Sequence, residues 1–266
     1  FSIIQESSAL GCDMQWEQKD NWPTVRMSSP IWSTPEDIHI PSDWLLHPDV
    51  QCVLDAIRIL RREFKDEVAI IGKTMGPWTL GYHFFGVEKF LLMSYDDPGQ
   101  TKQCLDLMKK VTIDFGRAQI DAGADALTLP DHATGDLVSG EYYRRYLRDL
   151  HCEFVNDIPI PLILHICGRT LDRMDYIAET GMAAFHYDSK NEPFESMDIV
   201  KDRIALVGNI NNPETLYSKT PEFVREEVYS NLDARIPLIG PECAIPLQTP
   251  IENLREIPKA VTDWHR

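Results

Sequence analysis

The sequence predicts an α/β fold of the (β/α)8 TIM-barrel type. Short, continuously apolar runs alternate with helical segments along most of the 266 residues, a length that fits one large barrel. Strands that alternate with helices imply a parallel sheet with right-handed crossovers. A doubly wound open sheet is the alternative, but no glycine-rich dinucleotide-binding fingerprint follows any of the apolar runs.

The predicted strands are apolar runs of three to five residues, typical of strands buried on both faces of a parallel sheet. They are Phe1–Ile4, Val68–Gly72, Ala126–Leu129, Pro161–His165, Ala183–Tyr187, Ile204–Gly208 and Pro237–Ile239. A closed barrel has eight strands. Either one strand escapes recognition, or the chain as given lacks an N-terminal β/α unit.

The predicted helices carry apolar residues at helical spacing, and several end at a glycine that can serve as a C-cap. They are Asp49–Phe64, Pro98–Ala122 before Gly123, a helix opened by Ser139, Leu171–Thr180 before Gly181, Phe194–Val200, helices within Pro213–Leu232, and Ile251–Trp264. We therefore expect a single (β/α) barrel domain over residues 1–266, with an irregular, aromatic and proline-rich excursion at about residues 12–48.

Composition and charge exclude several classes of function. The chain has 43% hydrophobic and 26% charged residues and a formal net charge of −16. Such an acidic surface repels phosphate backbones and anionic membranes, so neither nucleic acid nor a membrane is an expected partner. No apolar stretch approaches the length of a membrane span, and the short apolar start is no signal peptide.

Six cysteines in a chain of this length are too few for a disulfide scaffold, so we expect reduced thiols and a cytoplasmic location. Cys52, Cys104 and Cys152 fall within helical patterns and are expected to be packing thiols. The composition is compatible with an oligomer and does not specify one.

The residues expected to carry chemistry follow predicted strands, because the active site of a (β/α)8 barrel lies at the carboxyl ends of its strands. His165 and Cys167 stand two apart at the end of one strand, so alternation aims both side chains into the barrel mouth. Asp188 follows the next strand and Cys243 the last one. One histidine, two cysteines and an open fourth position are the ligand set of a catalytic zinc.

At these residues the sequence also resembles a known family. Leu164–Gly168, Gly208–Tyr217 and Cys243–Pro250 resemble the uroporphyrinogen decarboxylase superfamily, and most closely its zinc branch, the methylcobalamin:coenzyme M methyltransferases. Gly76–Leu80 and Asp131–Asp136 match more weakly. The resemblance extends from Phe1 to about Ala260 and implies that an N-terminal segment with the first strand is absent from this chain.

The resemblance implies zinc ligation by His165, Cys167 and Cys243, with Asp188 as the candidate fourth ligand before substrate binds. It implies transfer of a methyl group, within one-carbon metabolism, from methylcobalamin or another methyl-corrinoid to a small thiol such as coenzyme M. No cobalamin-binding domain is recognisable, so the donor is expected to be carried by a separate corrinoid protein. Glu242 departs from the family pattern, where glycine is expected; it either alters acceptor preference or faces solvent.

Other polar residues near strand ends are weaker candidates for cofactor binding. Asn209 either binds substrate or holds its loop. His132 and His83 are candidates to approach a corrinoid, although a surface or loop-bracing role is more common for such histidines. Gly76 is a further candidate, with shaping of its loop as the alternative.

Two rival functions remain at this stage. One is a porphyrinogen-type decarboxylase without zinc, although the aspartate that the decarboxylases carry early in the chain is replaced here by Ile3-Ile4. The other is a non-catalytic subunit that binds a corrinoid or a methyl group. Zinc content separates the first rival from a methyltransferase, and turnover separates the second.

Overall fold

A computed structural model describes residues 4–15 and 22–265, which divide into two compact units. Unit 1 comprises the described residues up to His132 together with Asn156–Leu162, and unit 2 comprises Ala133–Val155 and the chain from Ile163 onward. The expectation of one barrel domain over residues 1–266 stays a prediction. Among the described residues, no helix is both long and apolar enough to cross a membrane.

Unit 1 begins with a short helix and the excursion that was expected near residues 12–48. The excursion contains two-residue antiparallel strands and two 3-10 turns, and a parallel strand pair with long helices follows it. The elements are α1 (Gln5–Ala9), β1 (Met14–Gln15), β2 (Thr24–Val25), the turns Pro35–Asp37 and Trp44–Leu46, α2 (Pro48–Phe64), β3 (Ile71–Lys73), α3 (Pro77–Phe85), α4 (Val87–Asp96), α5 (Pro98–Ala122) and β4 (Ala126–Pro130).

Helices α3 and α4 were not predicted from the sequence. Every residue of α3 is buried, so its sequence lacks the alternation of polar and apolar faces that marks a surface helix. Its aromatic side chains form much of the unit 1 core, where Trp32 of the excursion packs on Phe84 with ring centroids 4.2 Å apart. The part of the excursion around Trp32 therefore covers this core.

Unit 2 continues the alternation, with β5, β6 and β7 each pairing in parallel with the strand that follows it, up to β8. The elements are α6 (Gly140–Tyr146), α7 (Arg148–Asp157, which ends in unit 1), β5 (Leu162–Ile166), α8 (Leu171–Ala178), β6 (Ala184–Tyr187), α9 (Pro193–Val200), β7 (Ala205–Ile210), a π-helical turn (Asn212–Tyr217), α10 (Pro221–Asp233), β8 (Leu238–Pro241) and α11 (Ile251–Asp263). A core cluster that includes Ile210, Val224, Val228 and Ile257 packs α10 and α11 behind β7.

The structure contains six of the seven predicted strands, with ends shifted by at most three residues. The remaining prediction, a strand over Phe1–Ile4, falls mostly outside the described residues; Ile4 directly precedes α1. Helix α5 has the predicted bounds, and Gly123 after it adopts φ +114°, a left-handed C-cap conformation that favours glycine.

Candidate metal centre

Two of the predicted ligands stand at the end of β5. His165 is the penultimate residue of this strand and is 6% exposed, whereas Cys167 follows the strand and is half-buried. The chain then turns sharply at Gly168, where φ is +79° and a Cβ atom would lie 2.3 Å from the Thr134 hydroxyl oxygen. Only glycine fits this turn without strain, so the backbone holds Cys167 at the carboxyl end of the strand.

The third predicted ligand, Cys243, lies two residues after β8, which is three strands away from β5. Three steps across a flat sheet would separate the backbones by about 14 Å. The sheet of unit 2 curves instead, and the His165 Nε2 atom lies 3.4 Å from the Cys243 sulfur and 3.0 Å from the Cys167 sulfur. The two sulfur atoms are 3.0 Å apart. Among the described residues these three side chains form the group whose donor atoms converge as metal ligands do.

The three donor atoms fit a zinc ion. Zn–S bonds of about 2.3 Å and Zn–N bonds of about 2.0 Å in a tetrahedron require separations of roughly 3.6–3.8 Å between ligand atoms. The observed separations of 3.0–3.4 Å reach those values if the side chains part by less than about 1 Å. Thiolate and imidazole ligands select zinc over magnesium or manganese. Both cysteines are half-buried, so the three side chains are not sealed off from solvent.

The protonation of His165 is set by its neighbour on β6. The His165 Nδ1 atom lies 3.1 Å from the carbonyl oxygen of His186, and a carbonyl can only accept, so Nδ1 carries the hydrogen. With the hydrogen on Nδ1, the Nε2 atom is the ring nitrogen whose lone pair a metal ion can take. This is the tautomer that a metal-ligating histidine requires.

The two thiols share a hydrogen bond that polarises them in opposite directions. Because Cys167 donates to the Cys243 sulfur, the pKa of the Cys243 thiol falls below its usual range. The same bond raises the pKa of the Cys167 thiol, and burial raises it further. A divalent cation bound to both sulfurs would replace the proton that they share. All six cysteines of the chain are free thiols, and the other four lie outside this cluster.

Asp188 stands beside the cluster and braces the loop that carries Cys167. One carboxylate oxygen accepts from the Gly168 backbone N–H at 2.8 Å, and the other accepts from the Lys190 N–H at 2.9 Å. These bonds tie the turn after β5 to the turn after β6. The role of Asp188 as fourth zinc ligand stays a prediction.

Replacing Asp188 by asparagine tests that role. We expect zinc affinity to fall less than in the cysteine variants, because the amide oxygen of asparagine still accepts one of the two backbone hydrogen bonds. Chelator competition measures the affinity, and X-ray absorption with and without the acceptor thiol would show sulfur replacing oxygen around zinc. An identical first shell in the two absorption spectra would exclude Asp188 as the ligand that leaves.

Glu242 does not face solvent, which excludes one of the two roles expected for it. It is 6% exposed, and its carboxylate accepts from the backbone N–H groups of Ser189 at 2.9 Å and Asn212 at 2.8 Å. Burial raises the pKa of this carboxyl group. The side chain therefore joins the residue before Cys243 to the loops after β6 and β7, an anchoring role that glycine could not supply.

Loss of this anchor has a measurable cost. We expect Glu242→Ala to lower the free energy of unfolding by about 2 kcal/mol, because two N–H groups lose their acceptor and a buried one left unpaired costs about 1–3 kcal/mol. The free energy of unfolding of Glu242→Gln should lie between those of the wild type and the alanine variant. The glutamine amide has one oxygen, which can accept from only one of the two N–H groups in the present geometry. Urea denaturation compares the three proteins, and equal stability of the alanine variant would contradict the anchoring role.

The weaker candidates have structural partners. The amide group of Asn209 is buried and donates to the carbonyl oxygens of Asn191 at 2.9 Å and Asp188 at 3.3 Å, so this side chain holds the loop after β6. In unit 1, a Cβ atom on Gly76 would lie 2.2 Å from the Asp131 carboxyl carbon, so glycine is needed there for close packing. Substrate or cofactor contacts of these residues stay predictions.

The two candidate histidines also belong to unit 1. His83 is buried against the Ser7 hydroxyl at 2.7 Å, and burial lowers its pKa to about 3, so it is a neutral interior group and not a surface residue. The backbone N–H of His132 donates to the Thr79 hydroxyl at 2.8 Å. A corrinoid contact of either histidine stays a prediction.

Sequence reasoning missed His186. Its ring stacks on that of His165 with centroids 4.4 Å apart, and its Nε2–H donates to the Pro241 carbonyl at 2.8 Å. Burial lowers its pKa to about 4, so the ring is neutral near pH 7. Its register partner in the parallel pair is His165, and strand alternation alone could have placed both rings on the same face.

Comparison with known proteins shows to which family the chain is similar. The sequence profile of the uroporphyrinogen decarboxylase (URO-D) family matches residues 1–264. The methylcobamide:CoM methyltransferase MtaA of Methanosarcina barkeri is 29% identical over 267 aligned residues, which cover 100% of this chain and 78% of MtaA. The methylated-thiol–coenzyme M methyltransferase of Methanosarcina mazei is 28% identical, over 98% of this chain and 70% of that protein.

A solved structure of a methyltransferase from Methanosarcina mazei superposes on this chain with a TM-score of 0.94 at 26% identity, covering 99% of this chain and 78% of the other. The predicted α/β fold of TIM-barrel type is confirmed by this match, and the predicted enzyme class, a methyltransferase, by the named relatives. The chain belongs to the uroporphyrinogen decarboxylase (URO-D) family.

Proposed function

We propose that this protein is a zinc-dependent corrinoid methyltransferase that moves a methyl group from a methyl-Co(III) corrinoid to a thiol such as coenzyme M. The convergence of His165, Cys167 and Cys243 carries the proposal, because three protein ligands on a four-coordinate zinc would leave one position for a substrate sulfur. The names of the relatives, methylcobamide:CoM and methylated-thiol–coenzyme M methyltransferases, support the donor and acceptor classes.

The chain's own residues prepare the site for a thiol. His165 offers a neutral nitrogen, because its other ring nitrogen donates to the His186 carbonyl. With zinc bound, Cys167 and Cys243 would both be thiolates and would keep the site electron-rich. A free thiol has a pKa of about 8.5, and zinc, when bound, would hold the acceptor as a thiolate at neutral pH. The hydrogen bonds of Asp188 and Glu242 hold the turns beside Cys167 and Cys243 in place.

The reaction exchanges one bond for another. The acceptor sulfur forms a bond to the methyl carbon as the carbon–cobalt bond of the donor breaks, and the electron pair of that bond stays on cobalt as Co(I). The donor is carried by a corrinoid protein, a separate partner that presents the methyl group to the mouth of the site. The free state of all six cysteines supports a reducing compartment such as the cytoplasm.

The rival reading within the family is decarboxylation of a porphyrinogen, which the family name raises. Such a reaction uses neither zinc nor a thiolate pair, and it gives no reason for three metal-ligating side chains to converge. The cluster therefore favours methyl transfer. A non-catalytic subunit that binds a corrinoid would bind the donor but show no turnover.

An acceptor screen tests the proposal. Zinc-loaded protein is mixed with methylcobalamin and one of several thiols, including coenzyme M and homocysteine, and loss of the methyl-Co(III) absorption is followed. We expect turnover with at least one small thiol and none with a porphyrinogen. Decarboxylation of a porphyrinogen by metal-free protein would overturn the proposal. Because the native donor is protein-bound, methylated corrinoid protein is included as a second donor.

A further inference from the structure

We propose that His186 is a positioning residue that sets the separation between His165 on β5 and Cys243 after β8. This role rests on the proposed metal centre. His186 contacts His165 directly and, through Pro241, the chain that leads to Cys243. These two predicted ligands lie 78 positions apart in the chain.

The first contact reaches across the sheet. His186 lies on β6, and its Nε2–H donates to the carbonyl oxygen of Pro241 at the end of β8, two residues before Cys243. Strand β7 lies between these two strands. The ring lies beside Gly208 of β7, where a Cβ atom would be 3.7 Å from the His186 Cδ2 atom; glycine places no side chain against the ring. The hydrogen bond therefore fixes the carboxyl end of β8 against β6.

The second contact reaches the histidine ligand. The backbone carbonyl of His186 accepts the Nδ1–H of His165 at 3.1 Å, and the two rings lie 4.4 Å apart at an interplanar angle of 33°. The carbonyl sets the tautomer of His165, and the stacked ring limits its rotation. One residue thus orients His165 and, through Pro241, places the chain that leads to Cys243.

The geometry also excludes His186 from ligation. Its Nε2 is committed to the Pro241 carbonyl, and its ring does not belong to the group of converging donors. Because its Nε2–H donates to the Pro241 carbonyl and its ring packs on that of His165, His186 orients the predicted ligands without binding the metal. Partners that orient metal ligands typically contribute about 10–100-fold to metal affinity.

Three variants separate this role from simple packing. His186→Leu fills the space but cannot donate, and His186→Asn keeps polarity but is too short to reach Pro241. His186→Gln places an amide N–H close to the position of Nε2 and should restore the bond. Because His186→Leu is the variant most at risk of misfolding, His186→Asn provides the same loss of the bond with less change in burial. The matched control is His151→Gln, which alters another buried histidine of unit 2, bonded to the Tyr143 hydroxyl at 2.8 Å.

Metal affinity and the spectrum of the cobalt-substituted protein report the outcome independently of turnover. We expect His186→Leu and His186→Asn to lose at least about 10-fold in zinc affinity by chelator competition. In both, the visible d–d bands of bound Co²⁺ should change in position or intensity as the ligand geometry relaxes. His186→Gln should stay within about 3-fold of wild type with wild-type bands, and His151→Gln should change stability without changing either readout.

Wild-type affinity and bands in folded His186→Asn would overturn the role of His186. Equal losses in His186→Gln and His186→Asn would also overturn it, because the bond to Pro241 would then not be the cause. Wild-type protein that binds neither zinc nor cobalt would overturn the metal centre itself, and with it this role. Failure of the positioning role and failure of the proposed function therefore give different results.

Discussion

Replacing Cys167 or Cys243 by serine is expected to reduce zinc from about one ion per chain to a small fraction of that value. A serine hydroxyl does not ionise near neutral pH and is a poor replacement for a thiolate, so each variant keeps only one sulfur ligand beside His165. The fold should survive, because the buried cores of both units consist mainly of apolar side chains and do not include Cys167 or Cys243. Zinc content by elemental analysis after dialysis measures the loss, and circular dichroism checks the fold.

Cys52→Ser is the matched control for these two variants. Cys52 is an exposed thiol on α2, outside the converging group, so its replacement should leave zinc at the wild-type level. Full occupancy in both Cys167→Ser and Cys243→Ser would show that these cysteines are not the ligands. Loss of zinc only together with loss of the helical signal would assign the effect to unfolding.

Removing zinc is expected to abolish demethylation of methylcobalamin, and restoring zinc should recover it. Without the metal the acceptor remains mostly a protonated thiol, since its pKa of about 8.5 lies above neutral pH. Zinc-loaded protein should release about one proton per acceptor bound at pH 7, because the metal takes the thiolate from a mostly protonated pool. Absorption spectroscopy follows loss of the methyl-Co(III) species, and a weakly buffered pH indicator follows the proton.

Magnesium addition to the metal-free protein is the control for nonspecific charge effects. A site of one imidazole and two thiolates should not recruit magnesium, so activity should not return. Undiminished turnover by protein shown to lack zinc would contradict the metal dependence. Acceptor binding with no proton release would contradict thiolate formation at the site, even if methyl transfer occurred.

The order of strands and helices could be predicted from the sequence because it depends on local periodicity. Helix α5 and the strand carrying His165 were placed to within one residue, since apolar spacing and capping glycines act over a few positions. Helix α3 was missed because it is buried on all sides. Its sequence therefore lacks the helical spacing of apolar and polar residues from which the other helices were predicted. The ligand candidates followed from one topological rule, that functional groups stand at the carboxyl ends of barrel strands.

The sequence by itself thus determined the candidate ligands and the strand ends at which they stand. Only the tertiary structure decided that the Cys243 sulfur lies 3.4 Å from the His165 Nε2 atom, although the two residues are 78 positions apart in the chain. The curvature that brings them together is a property of all the strands of the sheet. The tertiary structure also decided the environments of Glu242 and His186. The Glu242 carboxylate accepts from backbone N–H groups in the loops after β6 and β7 instead of facing solvent. Those loops are distant in the chain, so no local sequence pattern could predict the contact.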